Sequence, residues 1–257
     1  MNSPHVPSAV PTHGLVGAYT MNDSPADSSG KGHDGHTSGV TTTRNRFCAP
    51  RTAYHFDGAR SVLTIPDHDD FSVNTTGYLS ISVWFRPEGT SVTPSAELLF
   101  SSQEGTGYVH WFGKGDVSED SGNEEWTFRI YSADNTENRH NRISFYHFDY
   151  RGGKGPGSYV EEPVAQGVWI HLIASVSKPE HRIWLYKNGV LRDTDSFGPE
   201  VKKYSIDDAD LRNGNAPVRM GSKDGESHFK GAIDNVYFYN RLLTPTEIAA
   251  LYTNAAP

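Results

Sequence analysis

The chain has 257 residues, with 23 Lys plus Arg against 31 Asp plus Glu, a net charge of −8. That length suits one large domain or two small ones, and an acidic chain lacks the clustered cations that general nucleic-acid binding needs. Only 35% of the residues are hydrophobic while 12% are aromatic, and 25 Gly with 15 Pro supply turn formers, a balance that reads as an all-β domain. A lone cysteine, Cys48, excludes an intrachain disulfide framework and a CxxC zinc site. No apolar run approaches the roughly 20 residues of a membrane-spanning helix, so no membrane insertion is expected.

Residues 1–12, with Pro4, Pro7 and Pro11, read as a flexible arm ahead of a single domain over 13–257. The arm has neither the basic start nor the apolar stretch of a signal peptide. The protein is therefore expected in the cytoplasm, or outside the cell if a leader has been removed. From Gly14 onward the chain keeps a short-strand rhythm. Strands are predicted at Leu15–Thr20, Ala53–Phe56, Ser61–Ile65, Leu79–Phe85, Glu97–Ser101 and Trp126–Tyr131. Further strands are predicted at Arg142–Tyr150, Trp169–Ser177, Arg182–Lys187, Val190–Arg192, Val218–Gly221 and Ala232–Asn240. Gly, Pro, Asn, Asp and Ser clusters separate them, as in a sandwich or jelly roll. The acidic stretch Gly113–Glu125 and the polar Lys202–Gly214 read as long connections, the first of them mobile.

Two local signals are sharp. In Leu185-Tyr186-Lys187-Asn188-Gly189-Val190-Leu191, Asn-Gly separates two apolar runs, the signature of a two-residue hairpin whose turn needs φ > 0 at both positions. In Thr244-Pro245-Thr246-Glu247, a Thr cap, Pro at the first helical position and Glu at the third form a capping box before Ile248-Ala249-Ala250-Leu251-Tyr252. This predicts a short helix closing the chain.

In order, these segments resemble the laminin-G-like members of the concanavalin A-like jelly-roll superfamily. The resemblance rests on Gly14-Leu15-Val16-Gly17-Ala18-Tyr19 with the turn Asp27–Gly35, on Tyr54-His55-Phe56-Asp57-Gly58, and on Leu79-Ser80-Ile81-Ser82-Val83-Trp84-Phe85. It continues through Trp169-Ile170-His171, Tyr186-Lys187-Asn188-Gly189 and Phe229–Arg241 to the terminal helix. It implies a β-sandwich of two antiparallel sheets, and a lectin-like, glycan-binding module. It also implies one structural Ca²⁺ where the two chain ends meet on the outer sheet face. Asp234 would be the matching carboxylate, with Asn22 or Asp23 and the region of Asp57 completing the ligands. The alternative is that Asp234 caps a turn or pairs with Arg60 or Arg241.

No GxSxG, Walker, GxGxxG or HExxH motif is present. Glu124-Glu125 are adjacent and point to opposite faces, as do Glu161-Glu162, so neither makes the same-face carboxylate pair of a retaining glycosidase. Asp67-His68-Asp69-Asp70 and His33-Asp34-Gly35-His36 read as turns. The richest strand runs Ile143–Arg151. Alternation puts Phe145, His147 and Asp149 on one face and Tyr146, Phe148 and Tyr150 on the other. Such a face either lines a sugar groove, through ring faces and polar edges, or fills the core. Tyr146, Tyr150, His147, Arg129, Trp111 and Lys154 are the candidate ligand-binding residues. The rival is an enzyme on the same scaffold, a polysaccharide lyase or an intracellular biosynthetic enzyme. It would use His147 and Tyr146 as acid and base with Arg129 neutralising charge, and His110 nearby if the strands adjoin. A third reading is a protein-interaction module.

Overall fold

The computed structural model describes residue 7 and residues 10–89, 107–116, 123–148, 155–198 and 213–253. In chain order the strands are β1 (Leu15–Tyr19), β2 (His36–Ser38), β3 (Thr41–Thr43), β4 (Ala53–Asp57), β5 (Val62–Ile65), β6 (Tyr78–Pro87), β7 (Tyr108–Lys114) and β8 (Trp126–Tyr131). They continue as β9 (Ile143–His147), β10 (Gly157–Tyr159), β11 (Ile170–Ser177), β12 (Arg182–Lys187), β13 (Val190–Ser196), β14 (Val218–Met220) and β15 (Lys230–Tyr239). A 3₁₀ turn at Asp69–Phe71 and the four-residue helix α1 (Val73–Thr76) precede β6, and α2 (Pro245–Thr253) follows β15. None of the described helices is long and apolar enough to cross a membrane.

Two antiparallel sheets stack face to face. One is ordered β13-β12-β11-β6-β15-β4-β3, with β1 also paired to β15; the other is β10-β9-β8-β7-β14-β5-β2. Inward-pointing residues form one core between them, including Ile81, Val83, Phe85, Leu172 and Phe238 from the first sheet and Trp111, Phe112, Phe128 and Phe145 from the second. Phe85 and Trp111 stack across the gap, with centroids 4.6 Å apart. Large rings let a chain lean in aliphatics fill a sandwich interior.

A second apolar cluster lies on the outside of the first sheet. There α2 lays Ile248 and Leu251 over Leu15, Ala18, Ile173 and Tyr239. Val10 joins this cluster, so the end of the N-terminal arm packs down. The capping box forms: Glu247 N–H donates to Thr244 Oγ1, and Thr244 N–H donates to a Glu247 carboxylate oxygen at 2.8 Å. The Asn-Gly hairpin forms with φ 52° at Asn188 and 76° at Gly189. Asn188 Oδ1 then accepts His171 N–H, and His171 O accepts Asn188 N–H, both at 2.9 Å. The two sequence motifs are thus clasped together. The His171 ring, fully buried, contacts Ser82 Oγ at 2.8 Å, and burial pushes its pKa down to about 3.

The predicted strands at Glu97–Ser101 and the end of Arg142–Tyr150 lie outside the described residues, as do 202–212. The reading of Gly113–Glu125 as a mobile loop is corrected at both ends. Lys114, Glu124 and Glu125 are buried and ion-paired, Lys114 with Glu125 and Asp67, Glu124 with Lys223. These charges can leave water because each finds a partner. The sequence also gave no warning of the short strands β2, β3 and β10, which carry too few apolar residues to register as strands.

Candidate functional site

On the outward face of the second sheet, three neighbouring strands hold matching rows of polar and aromatic side chains. His110 on β7 stands opposite Arg129 on β8, and Arg129 opposite Ser144 on β9. Two residues along, Tyr108 stands opposite Tyr131. A bulge between His110 and Phe112 sets this row: it turns both Trp111 and Phe112 into the core, where strict alternation would have exposed one of them.

Arg129 is the centre of the group. Its guanidinium carbon lies 4.5 Å from the Tyr108 ring centroid and 4.4 Å from that of Tyr146. Its Nε donates to Ser144 Oγ at 3.1 Å. The two rings are themselves held. Tyr146 hydroxyl accepts the Gly155 N–H, and Tyr108 hydroxyl bonds Glu137. Burial, then Glu137, pushes the Tyr108 hydroxyl up to about 12. Tyr108, Arg129 and Tyr146 are all partly exposed.

Beside this cluster, His110 Nδ1 lies 2.9 Å from Asp224 Oδ2. Asp224 Oδ1 accepts the backbone N–H groups of Glu226 and Ser227 at 3.0 Å. Burial alone would raise the Asp224 carboxyl, but His110 and these N–H donors outweigh it and hold the group well below the usual carboxylate range. Asp224 is therefore ionised, and Nδ1 carries the shared proton. Burial pushes His110 down to about 4, so the ring is neutral near pH 7. Its Nε2 accepts no hydrogen bond among the described residues. The neighbouring Lys223 crosses the sheet above Gly113, where a Cβ would come within 2.9 Å of the lysine Cγ. Its Nζ pairs with Glu124 and lies 5.1 Å from the Phe148 ring centroid.

The candidates read from the sequence divide. Tyr146 and Arg129 meet, and His110 joins them. Trp111 is corrected: it is fully buried, stacked on Phe85, and offers no surface to a ligand. His147 is corrected as well. It alternates to the opposite face from Tyr146, is buried, holds the Phe148 carbonyl within 3.0 Å of Nδ1, and is pushed down to about 4 by burial. It cannot share a substrate proton with Tyr146. Tyr150 and Lys154 lie outside the described residues. Glu124 and Glu125 do point apart, and burial raises both carboxyls, that of Glu125 to about 7, against the charges of Lys223 and Lys114. Asp224 was missed; it is 114 positions from His110, and no local pattern joins them.

The expected calcium ligands do not converge. Asp234 Oδ2 lies 2.6 Å from Arg46 Nη1, so an arginine, neither Arg60 nor Arg241, supplies its positive charge. Asp57 accepts N–H bonds from Ala59, Arg60 and Ser61 in its own turn. Its register partner on β15 is Lys230, four positions before Asp234. Asp23 pairs with Arg51 at 2.6 Å, and Asn22 adjoins Asp23 with an exposed side chain. This set does not fit a single Ca²⁺, which needs six to eight oxygens around one point.

Comparison with known proteins agrees with the architecture. Residues 57–249 match the laminin G family model of the concanavalin A-like lectin/glucanases superfamily. No curated protein matches the sequence. Among solved structures, domain 4 of AbnA, a GH43 extracellular arabinanase from Geobacillus stearothermophilus in complex with arabinotriose, is similar with a TM-score of 0.59 and 18% identity. The match covers 93% of this chain and 98% of that one. The receptor-binding domain of botulinum neurotoxin C/D mosaic serotype is similar at TM-score 0.64 and 11% identity, and the match covers 95% of this chain and 52% of that one. The binding domain of botulinum neurotoxin DC, in complex with rat synaptotagmin II, gives 0.65 and 14%, with the same coverage, 95% and 52%. The chain thus spans about half of each toxin domain. At these identities the likeness establishes the fold alone. Together with the family match, it places the chain in the concanavalin A-like lectin/glucanases superfamily.

Proposed function

We propose that the chain is a glycan-binding module whose ligand lies on the outward face of the second sheet, over Tyr108, Arg129, Tyr146 and His110. The observation that carries this reading is the guanidinium of Arg129 held between two tyrosine rings on a partly exposed sheet face. Sugar C–H faces stack on aromatic rings, while hydroxyls and carboxylates bond to fixed donors at the ring edges. A rigid strand framework holds the group in place, so binding orders few side chains and costs little entropy. The structure of the arabinanase domain in complex with arabinotriose supports a sugar as the ligand class. The toxin binding domain in complex with rat synaptotagmin II, of which the match covers 52%, keeps a protein ligand as the alternative class. A glycan array that stays blank at high protein concentration would overturn the proposal.

A second reading draws on one specific observation, the His110–Asp224 pair on the strand neighbour of Arg129. In a lyase, a neutral imidazole beside an arginine would take the proton next to a uronate carboxylate held by Arg129. The double bond would form as the glycosidic C–O bond breaks, and the departing oxygen would take a proton from water or from the imidazolium. The new conjugated double bond absorbs in the ultraviolet. Assays on uronate polymers separate the two readings: steady growth of that absorbance marks a lyase, and binding without it marks a lectin-like module.

A further inference from the structure

Two histidines outside the ligand-binding face meet at one end of the sandwich. His33 lies in the turn after β1, where its N–H donates to Asp27 at 3.2 Å and its carbonyl accepts the Tyr19 hydroxyl at 2.6 Å. His68 and Asp70 lie in the corner after β5, at the 3₁₀ turn. The His33 ring packs against Phe71, with centroids 5.1 Å apart, and against His68, at 4.1 Å. Asp70 Oδ2 is 2.9 Å from His33 Nε2 and 3.5 Å from His68 Nδ1. One donor atom from each residue lies within 4.8 Å of the other two. His68 Nδ1, which accepts the Asp70 N–H as the cap of the 3₁₀ turn, is thereby turned toward the same carboxylate oxygen that His33 contacts.

We propose that His33, His68 and Asp70 bind one divalent transition-metal ion, with Zn²⁺ best matched to the donors. Two imidazoles and a carboxylate suit zinc, whereas Ca²⁺ and Mg²⁺ favour oxygen ligands throughout. Tetrahedral zinc bonds of about 2.0–2.1 Å place neighbouring donors about 3.3 Å apart. The two Asp70 separations, 2.9 and 3.5 Å, straddle that spacing. His33, with its side chain only 8% exposed, is the fixed ligand. His68, half exposed, adjusts to close the third edge. In doing so it exchanges one contact, the Asp70 N–H that its Nδ1 accepts at 3.1 Å. Water takes the fourth position. The ion joins residues as far as 37 positions apart, so it binds the folded chain in preference to the unfolded one and stabilises it.

The test is calorimetric titration of Zn²⁺ alone into the full chain in a non-coordinating buffer, paired with thermal melts and with the visible absorption of added Co²⁺. One equivalent is expected to bind saturably. At a hundredfold excess over Kd it should raise the melting temperature by about 5–10 °C, and Co²⁺ should show the bands of a low-coordinate site. Losing even an outer-sphere partner weakens metal sites by about 10–100-fold, so His68→Asn and Asp70→Asn should each cost at least that. His68→Asn alters a half-exposed side chain and preserves the fold. His140→Asn, at an imidazole that contacts the Asn135 carbonyl elsewhere, should change nothing. The proposal is overturned if the parent shows no saturable Zn²⁺ binding, or if affinity and melting shift are the same in parent, His68→Asn and Asp70→Asn. Both outcomes are independent of glycan binding.

Discussion

Arg46 lies 2.6 Å from Asp234, joining a loop near the start of the chain to the central strand 188 positions later. The guanidinium also stacks 4.5 Å from the Trp84 ring centroid and 4.6 Å from that of Phe47. Both members are buried, with side-chain exposures of 7% and 1%. Burial pushes the Asp234 carboxyl up to about 7 even with Arg46 opposing the shift. A pair like this adds little net stability when intact, but losing one partner strands a buried charge.

Arg46→Met should therefore destabilise the fold by about 3–5 kcal/mol, and adding Asp234→Asn should recover a large part of that loss. Urea unfolding of the two variants measures both terms. A single-variant cost within experimental error of zero would show that the pair is not what holds this loop down. Because arginine supplies the positive charge at Asp234, adding Ca²⁺ to the metal-free protein should leave the melting temperature unchanged.

Helix α2 is held by a pair that acid should break. Arg241, through hydrogen bonds to both carboxylate oxygens of Glu247, outweighs burial and lowers the carboxyl to about 2 from an ordinary value of 4.5. A lowered carboxylate stabilises the folded state above its unfolded pKa, and that contribution is lost as pH falls through the folded value. The window is therefore about pH 4.5 down to 2. Glu247→Gln should cost about 1–3 kcal/mol at neutral pH and almost nothing near pH 2. A difference that stays constant across that range would contradict the assignment.

The neutral, buried His147 gives a second pH signature. Its folded pKa of about 4 lies below the ordinary 6.5. Its contribution is thus present above about pH 6.5 and declines as pH falls toward 4. Between pH 7 and 5, His147→Gln should lose about 2 kcal/mol less stability than the parent. Asp234 and Glu125, both raised to about 7, act in the opposite sense over the same range, so only the difference between the two proteins reports the histidine. Parallel stability curves would place His147 in contact with water.

Gly189 sits at φ 76°, and a Cβ there would come within 3.1 Å of the Tyr252 ring. Gly189→Val should cost about 1–2 kcal/mol from backbone strain, with added loss where α2 is pushed off the sheet. An unchanged melting temperature would remove the turn from the account.

Short-range grammar was legible in the sequence because its physics is short-range. Asn188-Gly189 and Thr244-Pro245-Thr246-Glu247 declare their conformations within a few residues, and Trp126–Tyr131 and Arg182–Lys187 emerge as strands with the limits read from the sequence. The order of these motifs was enough for the fold. The candidate face was half legible: alternation separated Tyr146 from His147, and strand adjacency was the condition under which Arg129 and His110 would meet. What stayed hidden was non-local. The bulge that buries Trp111 depends on the register of β7 against β8, and the partners Asp224 and Arg46 lie 114 and 188 positions from His110 and Asp234.

The central claim is that Arg129, between Tyr108 and Tyr146, forms the floor of a glycan site. Its most direct test is the affinity of Arg129→Ala for whichever glycan the parent protein selects from an array, with Tyr146→Ala as companion and melting temperatures measured alongside. A desolvated hydrogen bond from a charged group is worth about 1.5–3 kcal/mol, so the account predicts that Arg129→Ala weakens binding by about tenfold to a hundredfold while the protein still melts cooperatively. Unchanged affinity in both folded variants would contradict it.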